Sequence, residues 1–132
     1  MKNKKRITFL SLAEVIEIHI DQINNYGGLD GIRDMNLLCS AIAMPCASYN
    51  SKFLHSDIFE MAAAYAFHLC QNHPFIDGNK RTALASALVF LEMNGITIID
   101  SQSKLYDIMI LLASGRCTKA ELATIFKDLY NQ

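Results

Sequence analysis

A nine-residue segment, residues 73–81, holds most of the side chains that could do chemistry in this 132-residue chain. Its sequence is His-Pro-Phe-Ile-Asp-Gly-Asn-Lys-Arg, which puts a base, a carboxylate, a glycine, an amide and two cations in one short stretch. An Asp-Gly-Asn run alone is typical of an ordinary turn. A plain connection between two helices requires none of the other groups, so the segment indicates a functional site.

The base and the cations of this segment each have an expected position. His73 precedes a proline, which disfavours helical backbone, so we expect it at an exposed helix end where it can act as a general base near neutral pH. Lys80 and Arg81 open the next predicted helix, where the helix dipole is positive and cations are unfavourable. A bound anion would offset that cost, and Gly78 and Asn79 would offer backbone amides to it, with Asn79 also able to cap the helix. These four residues predict a phosphate site.

Two further residues complete the site. Asp77 would lie among phosphates, an arrangement that is repulsive unless a divalent cation bridges them, which predicts Mg²⁺. Phe75 is expected to anchor the loop in the core. A base, a phosphate site and a metal ligand are what nucleotide-dependent transfer to a hydroxyl requires. A metal-dependent phosphohydrolase using His68, His73 and Asp77 is a competing interpretation, but these residues lack a regular ligand spacing, and we interpret His68 as structural.

Helical periodicity runs through almost the whole chain and predicts six helices with almost no sheet. The first buries a stripe of Val15, Ile16, Ile20 and Ile23, and Ile96–Ile99 is predicted as a short extended piece. The predicted helices run from a Ser11 capping box to about Asn25, from an Asp34 cap to before Pro45, from Asp57 to about Asn72, from Lys80 to Asn94, from Ser103 to near Gly115, and from a Thr118 capping box to about Tyr130.

Composition bounds the class of protein. Hydrophobic residues make up 52% and charged residues 19%, which excludes a disordered chain. The formal charge of −1 disfavours general nucleic-acid binding, since such domains are usually basic over one face. The four cysteines contain no C-x-x-C pair and are expected to be small buried hydrophobes in a reducing compartment. We expect a single domain over residues 1–132.

The amino terminus bears on localisation. A basic run, Met1–Arg6, precedes the apolar run Ile7–Ala13, but Glu14 and Glu17 then interrupt it, so no secretory signal is expected. No stretch approaches the length of a transmembrane helix, so no membrane association is predicted. These features predict a cytoplasmic protein whose basic terminus is solvated and frayed.

The segment His73–Arg81 resembles the H-P-F-x-[DE]-G-N-x-R motif of the Fic family, and its lysine resembles the death-on-curing (Doc) branch. The resemblance extends from Gly27–Asp34 through Leu37–Pro45 to Asn94 and Gly95. It implies an all-α, single-domain Fic-type helical bundle. It also implies a flap, a short loop or hairpin at positions 46–56, that holds a segment of the target by main-chain pairing.

The resemblance also implies a role for each site residue. His73 would be the general base that takes a proton from a target hydroxyl, and Asp77 would hold Mg²⁺. Phe75 would be the structural anchor. The remaining four would bind the phosphates of ATP, two of them as the anion cradle and two as cations: Gly78, Asn79, Lys80 and Arg81.

Two positions bear on the product of the reaction. Adenylyl-transferring members carry glycine where Lys80 stands and a second arginine where Leu84 stands. The Doc branch, with lysine, implies transfer of the γ-phosphate of ATP to a protein hydroxyl on a translation elongation factor. Asp77 and Gly78, however, match the adenylyl transferases, so transfer of AMP to a Ser, Thr or Tyr hydroxyl stays open. A third interpretation, a non-catalytic Fic-like binding module, is disfavoured because the motif is complete.

Many members of the family carry an inhibitory helix with the string [ST]-x-x-x-E-[GN]. The chain has no such string; Ser56–Glu60 comes closest, but Met61 follows. The resemblance therefore implies a toxin that is restrained by a separate antitoxin protein.

Overall fold

A computed structural model describes residues 6–132, so the frayed terminus predicted for residues 1–5 lies outside the described residues. Within that range the all-α class is confirmed, with six helices and one two-stranded hairpin. The helices are α1 (Leu12–Tyr26), α2 (Met35–Ala43), α3 (Ile58–Asn72), α4 (Asn79–Met93), α5 (Leu105–Ala113) and α6 (Lys119–Tyr130). The strands are β1 (Ser48–Tyr49) and β2 (Lys52–Phe53).

Helix α3 forms the centre of the core. Residues 61–66 of α3 are all buried, and four of the six are alanines, whose small side chains let neighbouring helices approach closely. Helices α2, α4, α5 and α6 all pack against α3. The loop after α3 therefore starts from the most enclosed helix of the molecule.

None of the helices within residues 6–132 is long and apolar enough to span a membrane.

Local capping signals fix most helix starts. The capping boxes of Ser11 with Glu14 and of Thr118 with Glu121 are both formed, as predicted. The prediction that Ser103 opens α5 is wrong, because Ser103 has φ +52° and lies outside the helix. The carboxylate of Asp100 instead accepts hydrogen bonds from the amides of residues 104 and 105.

Two burial predictions are wrong. Ile20 is 40% exposed, and His19 is buried instead, because residues 15, 19 and 23 are four apart and share one helix face. Two of the four cysteines, Cys39 and Cys46, are exposed rather than buried. Residues 96–99, predicted as a short extended piece, belong to no helix and pair with no other segment within residues 6–132.

The expected flap is a hairpin. Strands β1 and β2 pair antiparallel around a turn at Asn50 and Ser51, which have φ +52° and φ +64°. Two positive φ values in a two-residue turn match the twist of the flanking strands. Tyr49, Phe53 and Leu54 are large, exposed apolar side chains on this hairpin. The hairpin therefore presents an exposed apolar surface.

Candidate active site

The loop of residues 73–78 joins α3 to α4 and is bounded by two residues in the left-handed region. His73 is the C-cap of α3, with φ +50° and ψ +53°, and Gly78 is the N-cap of α4, with φ +74°. Pro74 disfavours helical backbone at the residue before it, which explains why α3 ends there. The side chain of His73 is exposed. His73 thus lies at an exposed helix end, as predicted, and its role as a base stays a prediction.

Phe75 and Asn79 shape the loop from the inside. Phe75 is fully buried, as predicted for an anchor. The side chain of Asn79 accepts a hydrogen bond from the Phe75 amide and donates one to the Phe75 carbonyl, both at 2.9 Å. The expectation that Asn79 caps α4 is therefore wrong, because its amide group is turned back into the loop. No side chain of residues 6–132 caps the first turn of α4, which leaves its backbone amides open to an anion.

The segment between α1 and α2 holds the loop from the other side. The amides of Arg33 and Asp34 both donate to the carbonyl of Pro74, at 2.7 and 3.0 Å. The Arg33 guanidinium donates to the carbonyls of His73, at 2.6 Å, and of Asn72, at 3.0 Å. It thereby satisfies carbonyl groups at the end of α3 that lack a helical partner. Sequence reasoning missed this role of Arg33.

Asp77 is held at both its backbone and its side chain. Its carboxylate oxygen Oδ2 accepts a hydrogen bond from the amide of Leu29 at 3.1 Å. Its backbone oxygen lies 2.8 Å from Nε2 of His19, which is 1% exposed. A side chain on Gly28, which has φ +114°, would begin 3.2 Å from the same Oδ2. The α1–α2 segment therefore fits closely around Asp77, and sequence reasoning missed both His19 and Leu29.

The loop and the start of α4 enclose one side of a polar cleft of about 220 Å³. Neither Lys80 nor Arg81 forms an ion pair with a carboxylate within residues 6–132. Two unpaired cations at the positive end of a helix favour a bound anion strongly. All the sequence-predicted site residues except buried Phe75 line this cleft, together with two others: His73, Ile76, Asp77, Gly78, Asn79, Lys80, Arg81 and Tyr106.

A second cleft, of about 430 Å³, adjoins the polar one, and Arg81 and Tyr106 line both. Its other walls come from α1 and α4 and include Tyr26 and Leu84. The Arg81 guanidinium lies 5.3 Å from the centre of the Tyr26 ring, within cation–π range. Arg81 is thus positioned between the polar cleft and a mainly apolar one.

Three ionisable side chains outside this region, His55, His68 and Lys119, form what we call the polar cluster. The Lys119 ammonium donates to Nε2 of His55 at 3.0 Å and to Nε2 of His68 at 3.2 Å. Burial, and next the charge of Lys119, lower the pKa of His68 to about 4, and the same causes lower the pKa of His55. His68 does not line the polar cleft, so His68, His73 and Asp77 do not form one site.

Within residues 6–132, no group of three or more His, Cys, Asp or Glu side chains is arranged to hold a metal ion. Among the residues that the structure describes, Asp77 is the one carboxylate that lines the polar cleft. In nucleotide sites Mg²⁺ is bound by one or two carboxylates, with phosphate oxygens and water completing its shell. The donor set of the cleft fits a cation shared with bound phosphates.

Residues 9–91 match the family model described as the Fic/DOC family. The chain is 36% identical, over 92% of its own length and 94% of the relative's, to "Protein kinase doc" of Escherichia phage P1. It is also 40% identical to "Toxin Doc" of Mycolicibacterium smegmatis, over 55% of its own length and 56% of that relative's. The family match contains the whole loop 73–78 and the first turns of α4.

Proposed function

Because the chain belongs to the Fic/DOC family, we propose that it transfers the γ-phosphate of ATP to a hydroxyl of a target protein. The observation that carries the proposal is the pair of unpaired cations, Lys80 and Arg81, at the start of α4, beside exposed His73. The names of the two relatives, a protein kinase and a toxin, support a transferase that is the toxin of a toxin–antitoxin pair.

In this proposal His73 is the general base. It accepts the proton of the target hydroxyl while the hydroxyl oxygen forms a bond to the γ-phosphorus. The bond from that phosphorus to the bridging oxygen breaks, and ADP leaves with the electron pair. Arg33 supports the step by fixing the backbone carbonyls at residues 72 and 73. An exposed imidazole on a fixed backbone can reach an acceptor group while keeping its own position.

The phosphates would be held at the start of α4. Lys80 and Arg81 supply positive charge, and the uncapped amides of Gly78 and Asn79 supply hydrogen-bond donors. The Asn79 side chain is already paired with Phe75, so its contribution to phosphate comes from its backbone. Asp77 would hold Mg²⁺, which when bound neutralises phosphate charge.

Transfer of AMP is the second candidate. The Asp77–Gly78 pair favours it, since adenylyl-transferring Fic proteins carry the same two residues. Lys80 and Leu84 favour phosphate transfer, since both replace residues of the adenylyl transferases. Leu84 also lines the cleft that adjoins the phosphate site, so this wall is apolar where an arginine would supply a third cation.

Membership in the Fic/DOC family also supports a proposal for the target protein and for the antitoxin. The exposed hairpin, with Tyr49, Phe53 and Leu54, would hold a segment of the target, and a translation elongation factor is the proposed target. A separate antitoxin would restrain the enzyme, because the sequence lacks the inhibitory string.

The experiment is to incubate the protein with ATP, Mg²⁺ and a purified bacterial translation elongation factor. Intact mass and peptide mapping then identify the added group and its site. We expect one phosphoryl group on a Ser, Thr or Tyr hydroxyl, and far slower transfer with His73→Ala. His68→Ala is the matched control, because it removes a histidine outside the cleft. An adenylyl group would establish the second candidate instead, and an unmodified factor would contradict the proposed target.

A further inference from the structure

His19 lies directly beneath the phosphate site without reaching the cleft. Its ring stacks on Phe75 with 3.8 Å between ring centres and 5° between planes. A backbone carbonyl can only accept a hydrogen bond, so the 2.8 Å contact with the Asp77 oxygen requires that Nε2 of His19 carries a proton and donates it. Buried His19 therefore donates a hydrogen bond from Nε2 to the backbone of the loop.

This contact orients the peptide group between Asp77 and Gly78. In a planar trans peptide the C=O and the following N–H point in opposite directions. Because the Asp77 oxygen points inward to His19, the Gly78 N–H must point outward. Gly78 lines the polar cleft, so the outward direction leads toward the proposed phosphates. A peptide free to rotate would present its oxygen to them in some conformations, which is repulsive.

We propose that His19 is a positioning residue whose Nε2–H keeps the Gly78 amide aimed into the cleft as a phosphate donor. The same contact fixes the backbone from which the Asp77 carboxylate extends, and Leu29 fixes the carboxylate itself. This inference rests on the proposed function only in that phosphate occupies the cleft. The proposed role belongs to the Nε2–H group of His19. Stacking on Phe75 would need only an aromatic ring, and not this donor.

Two substitutions separate the two ring nitrogens. Glutamine places its amide nitrogen at the distance of Nε2, which faces Asp77. Asparagine places its nitrogen at the distance of Nδ1, which faces Asp30 at 3.8 Å. His19→Gln should therefore keep the essential donor, and His19→Asn should lose it. His55→Gln is the matched control, because it alters a buried histidine of the polar cluster.

The test is calorimetric binding of Mg²⁺ with a non-hydrolysable ATP analogue to the full chain, with circular dichroism to check folding. We expect His19→Asn to bind about 10–100-fold more weakly, the usual effect of losing a residue that orients a ligand group. His19→Gln and His55→Gln should bind like the wild type. The Gly78 amide resonance of the wild-type protein should shift on binding.

Each other result overturns the inference. Wild-type affinity in His19→Asn would show that the donor is dispensable. Weak binding or unfolding of His19→Gln would show that the ring, and not the donor, is needed. An unmoved Gly78 amide in a wild-type protein that binds the analogue would show that this amide does not contact phosphate. Failure of the wild type to bind the analogue at all would instead count against the proposed function.

Discussion

The polar cleft and the polar cluster both bring histidine and lysine together, yet they differ in where the hydrogen bonds of these side chains go. In the polar cluster Lys119 donates to Nε2 of both His55 and His68, although Nδ1 of His55 is buried without a partner within residues 6–132. In the loop region His73 is exposed, and Lys80 forms no ion pair within residues 6–132. The hydrogen bonds that hold the loop in place involve mainly its backbone groups, and their partners lie in α1, in the segment between α1 and α2, and in Asn79.

Cavity size does not separate the two regions. A cleft of about 320 Å³ lies beside the polar cluster and is larger than the 220 Å³ of the polar cleft. What separates them is burial, which lowers the pKa of His55, His68 and Lys119. The side chain of His73, in contrast, is exposed. Unpaired charges at a helix start indicate ligand binding, whereas mutually bonded, desolvated groups indicate a structural contact.

Removal of the histidine in each region should give the largest contrast. His73→Ala should lower the transfer rate by about 10²–10⁴-fold, the usual contribution of a positioned general base. The fold should be kept, because the side chain is exposed. His68→Ala should leave the transfer rate close to that of the wild type while lowering the melting temperature. Rates would be measured under single-turnover conditions, and equal losses from both variants would remove the distinction between the regions.

Removal of the lysine in each region should give a smaller contrast. Lys80→Met keeps the side-chain stem and loses the charge, so it should lose a charge-assisted phosphate contact of about 1.5–3 kcal/mol, roughly 10- to 150-fold in transfer rate. Lys119→Met should reduce stability and leave transfer almost unchanged. The two are compared by transfer kinetics and chemical denaturation. Undiminished transfer by Lys80→Met would contradict the phosphate role.

The side chain that shapes the loop should show its effect in stability. Asn79→Ala breaks both hydrogen bonds to Phe75 in a buried setting, and we expect the free energy of unfolding to fall by about 1–3 kcal/mol. Ser86→Ala on the same helix is the control. The buried Ser86 hydroxyl has no hydrogen-bond partner within residues 6–132, so its loss should cost little. Equal stability of both variants in urea denaturation would contradict this account of the loop.

We expect the polar cluster to make the free energy of unfolding depend on pH between about 6.5 and 4. The ordinary pKa of histidine is 6.5, and that of His68 in the folded protein is lowered to about 4. Between these values the unfolded chain binds more protons than the folded one, so the free energy of unfolding falls as pH falls from 6.5 to 4. His68→Gln should flatten this slope in urea denaturation series. An unchanged slope would show that His68 is not its source.

The sequence predicts best those features that depend on neighbouring residues. The capping boxes at Ser11 and Thr118 join residues three apart, and the break at His73 depends on the proline that follows it. Both were predicted, because the partners are visible in one short stretch. Burial of His19 was also within reach, since it stands four residues from both Val15 and Ile23 on one helix face.

The supports of the site could not be read from the sequence in this way. Arg33 bonds to carbonyls 39 and 40 residues away, and His19 bonds to one 58 residues away. Such contacts depend on how α1 and α2 pack beside the loop. The direction of the Asn79 side chain likewise depends on a choice between two nearby partners, the α4 amides and Phe75. The buried backbone groups of Phe75 have more need of the Asn79 side chain than the first amides of α4, which water can reach.

Transfer of label from ATP distinguishes phosphate transfer from AMP transfer by this protein. Wild-type protein is incubated with its target and with ATP labelled at either the α- or the γ-phosphate. Because Lys80 lines the polar cleft and Leu84 the cleft beside it, we expect label in the target from γ-labelled ATP and none from α-labelled ATP. Label from α-labelled ATP would contradict phosphate transfer and establish transfer of AMP by the same loop.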